Sequence, residues 1–170
     1  DSFRNSKCSL EPLCGSLGPV RPPQAASPEP ASSTAGAFRP AQRLLASAAA
    51  LFADQGIRAV GIDQILREAG VAKASLYSSY GSKDALVIAY LADLDHADRN
   101  RWSQATATVA DPVRRILSFF DLAAGAATRR DFRGCLYANA ATEYPGVELE
   151  PVRTHREWLR ATITALLEQS

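Results

Sequence analysis

The sequence contains no methionine, only three cysteines and two histidines, and almost no excess charge: 19 lysines and arginines balance 18 aspartates and glutamates in 170 residues. A net charge of +1 excludes a histone-like or polybasic protein, whose affinity would come from bulk charge. Three cysteines at unrelated spacings exclude a disulfide framework, and the composition is typical of a reducing, cytoplasmic compartment. No apolar run reaches roughly 18 residues and no signal-peptide pattern begins the chain, so we expect no membrane-spanning helix and no leader.

The absence of an initiator methionine, together with an apolar pattern that runs into the last residues, indicates a fragment or a gene model with incorrect ends. The overall composition, 46% apolar and 22% charged, is that of an ordinary globular domain. The length predicts one domain, or two at most, with enough residues to bury a core.

Residues 1–39 differ in composition from the rest of the chain. Seven of the ten prolines lie in the first forty residues, mixed with serine, glycine and alanine and without apolar periodicity. Such a segment cannot bury enough surface to offset the entropy lost on ordering. We therefore expect residues 1–39 to be a disordered Pro/Ser/Ala-rich tail or mistranslated upstream sequence.

From Pro40 onward, apolar residues recur at the three- and four-residue spacing of helices that bury one face. Pro40 suits the first position of a helix, and Gly56 and Gly70 suit helix ends. Further helices are predicted over residues 134–144 and from near Glu148. No segment has a convincing strand pattern, so the predicted class is all-α. We expect one apolar cluster in the first half of this region, made of Leu45, Phe52, Ile65, Leu76, Tyr80 and Leu86.

Two short predicted helices separated by Gly70, Val71 and Ala72 form a helix-turn-helix pattern. The second helix of such a motif lies in the DNA major groove, and the turn needs a residue that tolerates positive φ, which Gly70 supplies. Between Val71 and Lys83 there are two basic residues and no acid, a local charge that favours contact with nucleic acid. Leu76 and Tyr80 are the inward positions of the second helix. Its outward positions are Lys73, Ala74, Ser75, Tyr77 and Ser78.

Four segments follow one another at a specific spacing. They are Leu51-Phe52-Ala53-Asp54-Gln55-Gly56, Ile62-Asp63-Gln64-Ile65, Gly70-Val71-Ala72-Lys73-Ala74-Ser75-Leu76-Tyr77 and Gly81-Ser82-Lys83-Asp84-Ala85-Leu86. Together they resemble the TetR family of bacterial transcriptional regulators, strongly over about residues 40–102 and weakly to the end of the chain. The resemblance implies an N-terminal three-helix DNA-binding domain with a helix-turn-helix at residues 40–82. It also implies a helical-bundle domain at residues 83–170 for ligand binding and dimerisation.

The resemblance also implies contacts with DNA. Lys73, Ala74 and Ser75 correspond to positions that reach base edges, and Tyr77 and Lys83 to positions that contact phosphates. Gly61 stands where the family often has threonine, at the start of the first helix of the motif, with its N–H toward a phosphate. Ser79-Tyr80 replaces a frequent His-Phe pair; Ser79 can still hydrogen-bond a phosphate, and Tyr80 can fill the Phe site if its hydroxyl finds a partner. The expected DNA-binding residues are Gly61, Lys73, Ala74, Ser75, Tyr77, Ser78, Ser79 and Lys83.

Three of these residues have a plain structural alternative. Tyr77 can be an edge of the core, Lys83 a solvated lysine at a helix start, and Ser75 ordinary helix surface.

The second half of the chain is expected to hold the ligand pocket, because its helices are apolar with isolated polar groups. The candidate lining residues are Trp102, Phe119, Phe120, Cys135, Tyr137, Asn139, His155 and Trp158. The alternative is that these residues simply form core, and that Cys135 is a buried, inert thiol rather than a redox sensor. His96 and His155 lack further ligands at metal-binding spacings, so we expect no metal and no cofactor.

The predicted function is a ligand-responsive, DNA-binding transcriptional regulator, a repressor released from a palindromic operator by a small molecule. A helical enzyme is disfavoured because the chain has no catalytic motif such as a Ser-His-Asp elbow or a phosphate loop. The rival is a truncated helical module that has lost dimerisation and does not bind DNA specifically. The helices used for homodimers in the family are expected to be missing, which would leave apolar faces at residues 113–124 and 152–167 uncovered.

Overall fold

The computed structural model describes residues 39–130 and 132–170. Within these ranges the chain forms seven α-helices and no β-strand, which confirms the all-α class. The helices are α1 (Pro40–Gln55), α2 (Ile62–Ala69), α3 (Lys73–Tyr80), α4 (Lys83–Ala105), α5 (Pro112–Ala127), α6 (Leu136–Glu143) and α7 (Glu150–Leu167). The tail predicted over residues 1–39 lies outside the described residues, apart from Arg39.

Local sequence explains where several helices begin and end. Pro40 takes the first position of α1, where its missing N–H needs no partner. Helix α2 ends at Gly70, whose φ of 60° and ψ of 42° are left-handed values that glycine adopts without strain. The Ser82 hydroxyl accepts a hydrogen bond from the Ala85 N–H at 3.0 Å, so α4 begins with a side-chain cap.

Two helices in the second half begin later than the sequence pattern predicts. Helix α6 covers Leu136–Glu143 rather than residues 134–144, because Gly134 has a φ of 86°, outside the helical range. Helix α7 begins at Glu150 rather than near Glu148, with Leu149 as its N-cap and Pro151 in its first turn.

One apolar cluster connects the first four helices. Leu44, Ile65, Leu76, Leu86 and Leu91 are completely inaccessible to solvent within it. Short helices need tertiary burial to be stable, so this shared core holds α2 and α3 in place. The predicted cluster is confirmed: Leu45, Phe52, Ile65, Leu76, Tyr80 and Leu86 all belong to it, with Leu45 and Tyr80 partly buried at its edge.

Helix α5 leaves much of its apolar side in solvent. None of its residues is fully buried, and Val113, Leu117 and Phe120 are 47%, 52% and 65% exposed. The uncovered face expected at residues 113–124 is therefore present. The face expected to be uncovered at residues 152–167 is covered in part, because Val152 and Leu166 of α7 are buried while Leu167 is exposed. Across the described part of the chain, no helix is both long enough and apolar enough to cross a membrane.

Candidate nucleic-acid interface

Helices α2 and α3 and the turn between them form a helix-turn-helix that is fixed by hydrogen bonds. The Gly70 backbone reverses the chain in the left-handed region, and the Val71 N–H donates to the Leu66 carbonyl at 3.2 Å. A guanidinium from α1 supports the same turn, because Arg43 Nη2 donates to the Gly70 carbonyl at 2.7 Å. The angle between α2 and α3 is thus held by the turn and by the first helix.

Helix α3 is anchored along one side, which decides the side that it presents to solvent. Leu76 is completely buried in the core, and the Tyr80 hydroxyl donates to the Ala41 carbonyl of α1 at 2.9 Å. Burial raises the pKa of Tyr80, and the nearby Asp93 carboxylate raises it further. The phenol therefore stays protonated and has the partner that a tyrosine needs when it replaces phenylalanine at a core edge.

The opposite side of α3 carries the residues expected to contact DNA. Lys73, Ala74, Tyr77, Ser78 and Ser79 are exposed, and Tyr77 has 49% of its surface accessible. A tyrosine that is half exposed on this side can reach a phosphate. Ser75 is half-buried, an exposure that fits both ordinary helix surface and a contact with a base. Its carbonyl accepts a hydrogen bond from the Ser78 hydroxyl at 3.3 Å. The structure thus brings these six residues onto one short helix.

Gly61 occupies the N-cap of α2 and is exposed, so the free N–H groups of that helix start point toward solvent. A Cβ built on Gly61 meets nothing within 4 Å, which means that a larger residue fits there and that the surface is open. This geometry suits an anion at the helix N-terminus, although Asp63 in the first turn supplies a competing negative charge.

Lys83 differs from the expectation that its ammonium projects toward a phosphate. In the structure Lys83 Nζ donates to the Ile57 carbonyl at 2.7 Å and lies 5.9 Å from the centre of the Phe52 ring. The side chain is half-buried, and burial lowers the pKa of Lys83 while Asp84 and Glu143 oppose that shift. The contact that the structure shows for Lys83 is therefore with the loop between α1 and α2, and its contact with a phosphate stays a prediction.

A second group of contacts, which the sequence did not indicate, connects the α6 region to the first helices. We call Arg133, Glu143 and Tyr144 the α6 clasp. Glu143 Oε2 accepts from the Arg58 N–H at 2.5 Å, and Arg133 Nη1 donates to the carbonyl of Asp54. The clasp therefore holds the last turn of α1 and the α1–α2 loop from the side of α6.

The third member of the clasp reaches the first turn of α4. The Tyr144 hydroxyl donates to Asp84 Oδ1 at 3.1 Å. Burial raises the pKa of Tyr144 to about 12, with further contributions from that hydrogen bond and from the Asp84 charge. The hydroxyl is therefore a permanent donor at physiological pH. The clasp thus spans the loop and the start of the long helix that follows α3.

Most residues expected to line a ligand pocket instead pack together. We call Trp102, Phe119, His155, Trp158 and Tyr137 the aromatic cluster. The rings of Trp102 and Phe119 stack at 4.9 Å, and Trp158 meets both of them edge-on at 6.0 and 5.8 Å. Tyr137 and His155 stack at 3.8 Å. Trp102 and Tyr137 are buried and the other three residues are half-buried, and a ligand-lining role for these five residues stays a prediction.

Polar groups beneath the aromatic cluster join α4, α6 and α7. His155 Nδ1 lies 2.8 Å from Asp95 Oδ1, and the Tyr137 hydroxyl donates to Asp98 Oδ2 at 2.8 Å. Burial alone would raise the pKa of Asp95, but hydrogen bonds from Arg99 and His155 lower it below its ordinary value. Asp95 is thus a buried carboxylate with its charge compensated.

The remaining three pocket candidates lie elsewhere. Phe120 is 65% exposed on α5, so it does not line a closed pocket in this structure. The alternative reading of Cys135 as a buried thiol is wrong, because Cys135 is exposed just before α6. Asn139 lines a separate cavity between α1, α4 and α6. No group of three His, Cys, Asp or Glu residues in the described ranges is arranged to hold a metal ion.

Comparison with known proteins agrees with this geometry. The family model described as "Bacterial regulatory proteins, tetR family" matches residues 44–90, which cover most of α1, all of α2 and α3, and the start of α4. The chain is 30% identical over 106 residues to the transcriptional repressor KstR2 of Mycolicibacterium smegmatis, covering 61% of this chain and 52% of that protein. It is 27% identical over 124 residues to the transcriptional regulator LmrA of Bacillus subtilis, covering 69% and 65%. The chain therefore spans between about half and two thirds of these relatives.

Solved structures extend the similarity beyond the helix-turn-helix. A TetR-family transcriptional regulator from Streptomyces coelicolor superposes with a TM-score of 0.71 at 34% identity, covering 77% of this chain and 67% of that one. A putative TetR-type transcriptional regulator from Streptomyces avermitilis superposes with a TM-score of 0.62 at 30% identity, covering 75% and 69%. With 34% and 30% identity to two regulators of which it covers about two thirds, the chain belongs to the TetR family of bacterial regulatory proteins.

Proposed function

We propose that this protein is a DNA-binding transcriptional repressor that a small molecule releases from its operator. The observation that carries the proposal is the exposed side of α3, which presents Lys73, Ala74, Tyr77, Ser78 and Ser79 while the other side is locked to the core. Relatives that match more than half of this chain are named as transcriptional regulators and repressors, which supports the same role here.

In the proposed complex α3 lies in the major groove. Lys73, Ala74 and Ser75 contact base edges, because the first residues of a recognition helix lie deepest in the groove. Tyr77, Ser78, Ser79 and the Gly61 N–H contact phosphates on either side. Lys83 would join them only by leaving the Ile57 carbonyl, so we assign it to the loop rather than to the DNA. Of the three residues that contact base edges in this complex, Lys73 then supplies the positive charge.

We further propose that the protein acts as a homodimer on an inverted repeat. A two-fold dimer places its recognition helices in successive major grooves, so the half-sites should lie about 10–10.5 base pairs apart, or a multiple of that distance. The exposed apolar residues of α5 support self-association, since a soluble protein rarely leaves such a face uncovered. We assign no catalytic activity to the chain and place it in the bacterial cytoplasm with its DNA.

The test uses duplexes selected by the protein from a random pool, followed by fluorescence anisotropy on the selected and scrambled sequences. Lys73→Ala should cost about 1–3 kcal/mol on the selected sequence and much less on the scrambled one, because a base contact carries discrimination. Arg160→Ala is the matched control: it removes one exposed positive charge from α7, away from α3, and should leave both affinities nearly unchanged.

Two results would overturn the proposal. The first is a confirmed dimer that selects no inverted repeat. The second is an equal loss of affinity for Lys73→Ala and Arg160→Ala on both DNAs, which would mean that binding depends on overall charge alone.

A further inference from the structure

Helix α3 has few apolar contacts for an element that must be held at a fixed angle. It has eight residues, so it is about 12 Å long, and Leu76 is its one fully buried residue. Short helices depend on tertiary contacts, and a single buried side chain still allows a helix to tilt and turn about it. Other contacts must therefore fix the direction of α3.

Two hydrogen bonds to the start of α1 hold α3, one near each of its ends. At the C-terminal end, the Tyr80 hydroxyl donates to the Ala41 carbonyl at 2.9 Å. At the other end, Arg43 Nη2 donates at 2.7 Å to the carbonyl of Gly70, which lies three residues before α3 begins at Lys73. Ala41 and Arg43 are two residues apart, so one short stretch of α1 holds both ends of α3.

The Gly70 carbonyl is a favourable place for the positive charge of Arg43. Gly70 is the C-cap of α2, where the last carbonyls of a helix lack partners within the helix and carry the negative end of its dipole. Arg43 comes 27 residues earlier in the chain and reaches this carbonyl from α1. The guanidinium therefore ties the end of α2, and with it the turn that leads into α3, to the first helix.

Of the two hydrogen bonds, the one from Arg43 lies closer to the residues that contact base edges in the proposed complex. Those residues are Lys73, Ala74 and Ser75, the first three of α3, and the short turn after Gly70 leads directly into them. A side chain that reads a base must be held in place by the groups that support it. A shift of the Gly70 turn would therefore displace the base contacts first.

We propose that Arg43 is a positioning residue for DNA recognition. Its guanidinium holds the Gly70 carbonyl, sets the position of the N-terminal end of α3, and thereby determines how well Lys73 discriminates between bases, without contacting DNA itself. This role rests on the proposed function for what α3 contacts, and on the two hydrogen bonds for how α3 is held.

The DNA test measures the ratio of the affinities for the selected and scrambled duplexes by fluorescence anisotropy. Arg43→Met keeps an unbranched stem and removes the donor. It should lower this ratio about three- to tenfold, part of the discrimination that one base contact supplies, and leave the salt slope unchanged. Arg43→Lys keeps a charged donor and should retain most of the ratio. Arg67→Met is the matched control: it removes another exposed guanidinium, from the last turn of α2, and should leave the ratio unchanged.

A double-mutant cycle tests whether Arg43 acts through Lys73. In the Lys73→Ala background, Arg43→Met should change the ratio by less than about twofold, because the contact that Arg43 positions is already absent.

Three results would overturn the proposal. A ratio unchanged by Arg43→Met would mean that the turn needs no support from α1. An equal loss on both duplexes, with a salt slope reduced by about 1, would make Arg43 a phosphate contact. Full additivity in the cycle would mean that Arg43 does not act through Lys73.

Amide hydrogen exchange without DNA separates this proposal from the proposed function. Arg43→Met should make the α3 amides exchange several-fold faster than in the wild type, and Arg67→Met should not. If exchange rises and the wild type selects no DNA, the proposed function fails and only the attachment of α3 stands. If the wild type selects DNA and α3 exchange does not change, the positioning role fails while the proposed function stands.

Discussion

Lys83 provides a sharp test of the structure, because a contact with the loop and a contact with DNA predict opposite results. Its ammonium lies 2.7 Å from the Ile57 carbonyl, and its position over Phe52 places the aliphatic stem beside the core. Lys83→Met keeps an unbranched apolar stem of similar length and removes the charge and the donor. The substitution therefore isolates the hydrogen bond and the charge from the packing.

The expected magnitude follows from that geometry. A hydrogen bond from a charged donor contributes about 1.5–3 kcal/mol when well shielded, and solvent screening of a half-buried lysine reduces this to about 1–2 kcal/mol. We expect Lys83→Met to lower the free energy of unfolding by about that amount. Binding to the selected DNA should keep the wild-type salt dependence, because no phosphate contact is lost.

The assay combines urea unfolding, followed by far-ultraviolet circular dichroism, with anisotropy titrations across a salt series. Lys73→Met is the matched control: it removes the same charge from an exposed position on α3, and should change stability by less than about 0.5 kcal/mol while weakening DNA binding. Unchanged stability of Lys83→Met, together with a salt slope reduced by about 1, would refute our assignment and restore a phosphate contact at Lys83.

Two further predictions concern the core and the buried carboxylate. Phe52→Ala should lower the free energy of unfolding by about 3–5 kcal/mol, whereas Phe120→Ala, at a 65% exposed position, should change it little. Urea unfolding measures both, and comparable losses would show that Phe52 is not part of a buried core. Burial would raise the pKa of Asp95, but the hydrogen bonds from Arg99 and His155 outweigh it, so the pKa is lower in the folded than in the unfolded protein. The stability that Asp95 contributes is therefore complete above the unfolded pKa of about 3.9 and is lost as the pH falls through the folded pKa. Asp95→Asn should lack this component of acid unfolding, and acid-unfolding profiles of the same shape for both proteins would contradict it.

Much of the helix-turn-helix was predictable because its determinants are local. Gly70 marks the turn through its tolerance of positive φ, and the spacing of Leu76 and Tyr80 indicates which side of α3 is buried. The partner of the Tyr80 hydroxyl was not predictable, since Ala41 lies 39 residues earlier in the chain. Sequence periodicity therefore predicts which face of α3 is buried, but not the hydrogen bond that fixes this face to α1.

The inward position of Lys83 and the α6 clasp could not be predicted, because they depend on contacts between distant segments. Glu143 and Arg58 are 85 residues apart, and neither a glutamate nor an arginine in the sequence indicates a hydrogen bond between them. The aromatic residues of the second half were predicted as pocket lining, but helical spacing does not distinguish a side chain that lines a cavity from one that fills it. Trp102 and Phe119 turned out to be stacked on each other.

The aromatic cluster has a practical consequence for spectroscopy. The chain has two tryptophans, Trp102 and Trp158, and both belong to that cluster, with their rings 6.0 Å apart and guanidinium groups at 5.3 and 4.9 Å from them. Intrinsic tryptophan emission therefore reports the environment of α4, α5 and α7, and it carries no direct signal from α2 or α3. A fluorescence melting curve would miss an early loss of the recognition helix, whereas circular dichroism would detect it, so the two curves coincide only if both halves unfold as one cooperative unit.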